Sequence, residues 1–329
     1  MFNSFLIYPI LATFLIFPCS GQSAERLVFG LPNKIGVIEP TASTNAQTKL
    51  ILPLIFEPLV IVNAKQQLET VLAESWKIDS KQSSIIIKIK SGHKFSDGTE
   101  VTANDVVDSL RRFCAPTSQA SSDLQGLVGC YRKSPADRGE PGIELMSGNS
   151  VRLKIKINPT IFFYQLASSR IVITKKNGAN LIGSGPYLVK QKTDDFVTLD
   201  PNPFYHQKDR IKNTGLILRY VDEKNVADSL HNKPLDGSIM YRISAVTQIH
   251  DKNYRVIEDK PIITQLIVLN NQRYPFNQPA VREALAAEIY NEGRVNECIG
   301  SSLRAYGVIP VGIGGSIAHQ APSSLPVKS

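Results

Sequence analysis

Several things are scarce or missing in this chain, and each absence excludes a class. Cysteine, tryptophan and methionine are rare, with 4 Cys, 1 Trp and 3 Met in 329 residues. The five histidines, His93, His206, His231, His250 and His319, show no zinc-type ligand spacing, and no paired cysteines stand beside them. No GxSxG nucleophile turn is present, because Gly183-Ser184-Gly185 lacks the frame. Gly312-Ile313-Gly314-Gly315-Ser316 is followed by no Lys-Ser/Thr and is not a phosphate loop. An enzyme is therefore not expected, nor a metal or cofactor. There is no internal repeat, and the 21 Gly and 20 Pro follow no period, which excludes solenoids and collagen. Neither sign of charge dominates: 37 Lys+Arg against 29 Asp+Glu leaves +8, spread too thinly to demand a polyanion. Long apolar runs are absent except at the N-terminus, which excludes a polytopic membrane protein.

What is present suits a globular chain. Apolar residues make up 42% and charged residues 20%, too apolar for a disordered chain. A chain of this length buries about 75% of its unfolded surface and tends to divide into lobes.

The apolar run Phe5 to Phe17 has the length of a secretory leader's core and falls short of the ~20 residues that span a bilayer. Small and polar residues follow, from Cys19 to Ala24, and cleavage after Ser23 is expected, so residues 1–23 read as a signal peptide. No Lys or Arg precedes Phe5, so its basic flank is weak. Pro18 before Cys19 argues against lipid attachment there. Export implies an oxidising compartment. Cys114 and Cys130 bracket a Ser/Gly/Pro-rich stretch and are expected to pair there. Cys298 is left over as a small buried hydrophobe.

Along the chain, Leu27 to Gly30 reads as a strand. Leu50 to Val62 is apolar but carries Pro53 and Pro58, which predict breaks in helix and strand alike. Ile85, Ile87 and Ile89 alternate with Ile86, Lys88 and Lys90, and later Val151, Leu153, Ile155 and Ile157 with Arg152, Lys154 and Lys156, as half-buried strands do. Asp97-Gly98 is turn chemistry. Thr102 with Asp105 forms a capping-box-like pair before a helix whose Val106, Leu110 and Phe113 share one face. Residues 115–149 read as a long excursion. Gly183, Gly185 and Pro186 predict a sharp turn before a strand at Tyr187 to Val189. Further strands are expected at Phe196 to Leu199, Gly215 to Val221 and Ile262 to Leu269, and a helix over Pro279 to Glu292. Trp76 is read as core. Mixed helices and strands argue an α/β or α+β chain of more than one lobe.

The motifs then become specific. LAESWKI at 72–78 and IKIKSGHKFSDGTEVTANDVVDSLRR at 87–112, with FEPLV at 56–60, GSGPYLV at 183–189 and PNPFYHQK at 201–208, resemble the family 5 solute-binding proteins. These are the peptide and nickel receptors of bacterial ABC importers. LIVLNN at 266–271, PFNQPAVREALAAEI at 275–289 and YGVIPVG at 306–312 extend the resemblance over about residues 27–312.

The resemblance implies an α/β, periplasmic-binding-protein-like (type II) clamp. Residues 24–58 and 181–270 would form lobe I, 59–180 lobe II, and 271–311 the start of a lobe III that is largely missing; 312–329 would be a disordered tail. It implies a periplasmic receptor, most readily for peptides, that hands its solute to an inner-membrane ABC permease without performing a reaction. Nickel chelates and haem stay open as ligands. Members of the family commonly run to about five hundred residues, so the chain looks C-terminally truncated. Three explanations stand: a decayed or split copy, a shortened receptor that has repacked, or pairing with a second chain that supplies the missing lobe. A non-transport protein-interaction module built on this scaffold is the competing function.

Ligand contacts in a clamp come from loops at strand ends. The candidates are Asn33 in the loop after the first strand, Thr41, Thr44 and Asn45 with their hydroxyls and amide, and Tyr241 with Arg242. Tyr241 offers a stacking ring and Arg242 a bidentate carboxylate partner. The basic strand faces (Lys88, Lys90, Arg152, Lys154, Lys156) lack interleaved aromatics, so nucleic acid is not an expected partner.

Overall fold

The computed structural model describes residues 14–18, 26–42, 45–63, 65–131, 141–178, 180–232, 235–240, 254–257 and 268–289. In chain order the elements are β1 (Phe14–Pro18), β2 (Leu27–Leu31), α1 (Ala46–Ile55), β3 (Val60–Val62), β4 (Leu68–Thr70), β5 (Ala73–Asp79), β6 (Ser84–Ile89) and α2 (Ala103–Phe113). There follow β7 (Ile143–Met146), β8 (Ser150–Lys154), α3 (Pro159–Leu166), β9 (Lys175–Asn177), β10 (Asn180–Ile182), β11 (Tyr187–Lys192), β12 (Phe196–Pro201) and β13 (Leu216–Tyr220). The last are α4 (Val226–Asn232), β14 (Gly237–Met240), β15 (Tyr254–Ile257) and α5 (Pro279–Ile289). The chain divides into two compact units, one holding Ser20–Val221 and the other Ile10–Cys19 with Asp222–Ser329. Their boundary falls inside the segment 181–270 that the sequence suggests for one lobe.

The first unit carries two larger sheets. In one, strands run in the order β11-β12-β13-β2. β12 pairs antiparallel with both β11 and β13, whereas β13 runs parallel to β2, from Leu216 beside Leu27 to Tyr220 beside Leu31. Parallel neighbours cannot be joined by a hairpin and need a long crossover. Here everything between Leu31 and Leu216 serves as that crossover, and the second sheet lies within it. That second sheet is antiparallel, in the order β5-β6-β8-β7. Its register sets Ile85 opposite Leu153 and Ile87 opposite Val151, and all four are 0% exposed. Helix α2 packs on β7 and β8 through the face carrying Val106, Leu110 and Phe113. The cap at its start is the one the sequence predicts: the Asp105 carboxylate accepts from the Thr102 backbone N–H at 2.8 Å and from its hydroxyl at 2.6 Å.

Two local readings change in the structure. Pro53 does not break α1 but sits inside its last turn, and Phe56 N–H still donates to the Leu52 carbonyl at 2.8 Å to close the helix. Pro53 cannot donate the helical bond to the Lys49 carbonyl, and burial of Ile51, Leu52 and Ile55 offsets that loss. Trp76 is only half-buried on β5, with its ring 4.6 Å from that of Phe163 on α3.

The turn at Asp97-Gly98 is tied to the rest. Gly98 has φ +85°, and the Phe204 ring lies 3.0 Å from where a Cβ would stand. Thr99 donates to the Asp97 carboxylate from its N–H at 2.9 Å and its hydroxyl at 2.6 Å, and Lys175 Nζ lies 2.9 Å from the other carboxylate oxygen. Slight burial alone would raise the Asp97 pKa, but these bonds and the Lys175 charge outweigh it and hold the carboxyl below its usual value.

Cys114 and Cys130 are bonded, with Cα atoms 4.3 Å apart and both side chains buried. Gly183 and Gly185 are glycine because of close approach, not because of a left-handed turn. A Cβ at Gly183 would stand 2.0 Å from the Ile55 carbonyl oxygen, and one at Gly185 2.6 Å from the Ile55 carbonyl carbon.

In the second unit β1 lies between β14 and β15, antiparallel to both. The strand falls in the second half of the apolar run read as a leader, where Phe14-Leu15-Ile16-Phe17 has strong strand propensity. Tyr254 donates to the carbonyls of Leu230 at 2.9 Å and Leu235 at 3.2 Å. Helix α5 begins at Pro279 as expected, with Val281 and Leu285 half-buried. The strand expected over Ile262 to Leu269 lies outside the described residues except for Val268 and Leu269, which have no regular structure. Cys298 and the tail 312–329 also lie outside them.

Two outcomes follow. Replacing both Cys114 and Cys130 by Ala should cost about 3 kcal/mol, the value for a loop of roughly this length, read as a lower midpoint in denaturant melts. Gly183→Ala should cost about 1–3 kcal/mol, because backbone must shift to admit the methyl group; the melting temperature reports it.

Candidate functional site

The loop after β2 starts exposed and ends anchored. Asn33 is exposed at its tip, and two residues later Ile35 is buried and its N–H donates to the Asp194 carbonyl at 2.8 Å. This ties the loop to the β11–β12 hairpin, whose turn holds Asp194. At the far end Thr41 folds back on Glu39, donating to its carboxylate from the hydroxyl at 2.9 Å and from the N–H at 3.2 Å. The Thr41 carbonyl accepts from Gln119 N–H at 2.8 Å, which joins the loop to the disulfide excursion. Asn45 caps α1, accepting from Thr48 N–H at 2.7 Å.

The structure therefore brings Asn33, Thr41 and Asn45 onto one loop and spends the last two partly on holding its shape. Thr44, Tyr241 and Arg242 lie outside the described residues.

Two charged groups join this loop that sequence reasoning did not single out. Glu39 is one. The other is Arg112, near the end of α2, within electrostatic reach of Glu39. Its guanidinium donates to the Thr174 carbonyl at 2.9 Å, to Ser109 Oγ at 3.2 Å and to the Thr174 hydroxyl. Burial pushes the Arg112 pKa down, while Glu39, Asp108 and Asp105 oppose it; an arginine stays charged under such shifts. Its sequence signal is weak, since Arg111 and Arg112 are adjacent basic residues at the helix end and only the fold separates the exposed Arg111 from the half-buried Arg112.

A second cluster surrounds the chain crossing between the two sheets. Ile55 carbonyl accepts from Gly185 N–H at 3.0 Å, Gly183 carbonyl from Ser96 N–H at 2.9 Å, and Glu57 carbonyl from Ile173 N–H at 2.8 Å. Asn202, fully buried, donates from its amide to the Gly185 carbonyl at 2.8 Å. These bonds set the Glu57 side chain between two imidazoles. His93 Nδ1 lies 3.8 Å from Glu57 Oε2, and His206 Nδ1 lies 3.6 Å from Oε1. The two rings are 4.2 Å apart between centroids. Glu57 and His93 are buried, and His206 sits at the solvent edge. Burial pushes the His206 pKa below its ordinary value, Glu57 pulls it up, and His93, Lys90 and Arg210 push it further down. Linear spacing could not reveal this trio, since its members lie on three separate loops.

Three of the basic strand-face residues are ion-paired. Lys154 and Arg152 reach Glu144 at 2.5 and 3.3 Å, and Lys88 reaches Glu74 at 2.9 Å.

Comparison with known proteins fits this architecture. Glutathione-binding protein GsiB of Shigella boydii is 24% identical over 325 residues, 97% of this chain and 62% of the relative. The chain thus spans less than two thirds of that relative's length. Among solved structures, the Escherichia coli murein tripeptide binding protein MppA superposes with a TM-score of 0.74 at 17% identity, over 92% of this chain and 63% of that one. OppA of Burkholderia pseudomallei gives 0.72 at 17% identity, over 92% and 63%. The fold is that of the type II periplasmic binding proteins, whose relatives here are solute-binding receptors and not enzymes. The family described as bacterial extracellular solute-binding proteins, family 5 Middle, matches residues 67–323, most of the chain, and the chain belongs to it.

Proposed function

We propose that the chain is an exported receptor of an ABC importer. It captures a short peptide in the periplasm and presents it to an inner-membrane permease. The observation that carries this reading is the family match over residues 67–323. The choice of peptide draws on the ligands of its relatives, glutathione for GsiB and a murein tripeptide for MppA, both short peptides. Export rests on the apolar run Phe5 to Phe17 and the small residues up to Ser23, proposed here as a cleaved leader. The pairing of Cys114 with Cys130 suits the oxidising compartment that such a leader leads to.

For contacts, the reading takes Asn33, Thr41, Thr44 and Asn45 on the loop after β2 and Tyr241 with Arg242 after β14. A peptide brings an ammonium, carboxylates and amides. Glu39 offers a carboxylate, Arg112 and Arg242 offer guanidinium groups, and the loop offers hydroxyls and amides. Recognition by fixed groups of this kind needs no chemistry beyond positioning. The lobes proposed for solute capture are 24–58 with 181–270 on one side and 59–180 on the other.

A thermal-shift screen tests the reading. Glutathione, a murein-type tripeptide and simple di- and tripeptides are added to the purified chain. A true ligand at 100 times its Kd should add about 2.7 kcal/mol and raise Tm by several degrees. Arg242→Ala should weaken that ligand about 10- to 100-fold, the loss of a charge-assisted bidentate contact, as read by calorimetric titration. A Tm unmoved by every peptide at millimolar concentration would contradict peptide capture by this chain.

A further inference from the structure

We propose that Glu57, His93 and His206 form a binding site for a single divalent cation of the zinc type, at the crossover between the two sheets of the first unit. One ligand atom from each residue lies within 4.8 Å of the other two. Two buried atoms in the trio, Glu57 Oε2 and His93 Nδ1, have no hydrogen-bond partner. Glu57 is 5% exposed and His93 8%, so solvent does not readily serve them. A buried carboxylate oxygen facing a buried imidazole nitrogen across 3.8 Å is too far for a hydrogen bond between them. The gap is close to what a bridging ion needs. With metal bonds of about 2.0–2.2 Å at tetrahedral angles, neighbouring ligand atoms stand about 3.4 Å apart. His93 Nδ1 stands 3.8 Å from Oε2 and His206 Nδ1 3.6 Å from Oε1, so each carboxylate oxygen faces one imidazole, and side-chain rotation within the 4.8 Å span of the trio would gather the donors around one ion.

The donor set selects the ion. Calcium and magnesium want several oxygen ligands, and one carboxylate between two imidazoles does not supply them. Imidazole suits zinc, nickel and copper. Two His and one Glu make a three-ligand site whose fourth position opens to solvent on the His206 side.

The surrounding groups are placed to hold the ligands in register. Gln207 Nε2 lies 3.0 Å from His206 Nε2; with Nδ1 on the metal, that Nε2–H would donate to the same amide turned to present its oxygen. The Tyr205 ring meets the His206 ring edge-on at 4.6 Å. Val101 N–H donates to the His93 carbonyl at 2.8 Å, and Ile173 N–H to that of Glu57 at 2.8 Å. The ion would pin together the segment after α1, the loop between β6 and α2, and the loop between β12 and β13. The site does not rest on the peptide reading, since it uses none of those contact residues.

The test uses the chain purified without an affinity tag and dialysed against chelator. Zn²⁺ is titrated in competition with a chromogenic chelator, with Ni²⁺ as a second probe and Ca²⁺ as a control. One equivalent of Zn²⁺ should bind with a submicromolar Kd, and Ca²⁺ should not compete. His206→Gln, at the solvent edge, should fold with the apo Tm unchanged and weaken Zn²⁺ at least 10-fold. His93→Gln should do the same, and if it fails to fold His206→Gln alone decides. Absorption spectroscopy at the zinc edge should show scattering from two imidazoles. Absence of any site tighter than about 10 μM, or equal affinity in the His206→Gln chain, would overturn the proposal. The thermal shift with peptides is unaffected by either result, so the two readings fail separately.

Discussion

The constraint on which the first unit depends is backbone laid directly on backbone where Gly183 to Gly185 cross Ile55 and Phe56. No side chain fits between them: the space a methyl group would need at Gly183 is filled by the Ile55 carbonyl and the Phe56 ring. The contact is also hydrogen-bonded, through Gly185 N–H to Ile55 and through the buried Asn202 amide to Gly185. Because β13 must lie parallel to β2, the chain has to leave the first sheet, build the second and return. The glycines stand just before β11, where the returning chain re-enters the first sheet. Their close approach sets where Glu57, His93 and His206 meet.

Charge is arranged to stabilise locally more than to attract at a distance. Strands β6 and β8 turn Ile85, Ile87, Ile89, Val151 and Leu153 inward and Lys88, Arg152 and Lys154 outward, with Ile86 on the outer face. On these two strands the outward cations are met by Glu74 and Glu144 on neighbouring strands, each pair worth little individually.

Much of this was legible in the residues. Period-2 alternation over 85–89 and 151–155 located both central strands of the second sheet, and Thr102 with Asp105 marked the start of α2 to the residue. Those features are local, set by a few neighbouring side chains. What stayed hidden depends on distant partners. Pro53 reads as a breaker until the helix end and the burial around it are seen. Gly183 and Gly185 read as a turn, whereas their role is to let another segment pass close. The His93–His206 pair is invisible to any spacing rule, because the loops that carry it meet only through the crossover. On the loop after β2, Asn33, Thr41 and Asn45 stand out in the sequence by their hydrogen-bonding groups, whereas Arg112 does not, because its bonds to Ser109 and Thr174 exist only in the fold.

The crossover is open to direct measurement by hydrogen exchange resolved to single amides. The amides of Gly185, Ser96 and Ile173 close the contact by donating to Ile55, Gly183 and Glu57. The account predicts that all three exchange only on global unfolding, with protection matching that of the core strand amides of Ile85 and Ile87. Exchange of Gly185 and Ser96 at rates near those of an unstructured peptide, while Ile85 and Ile87 stay protected, would contradict it.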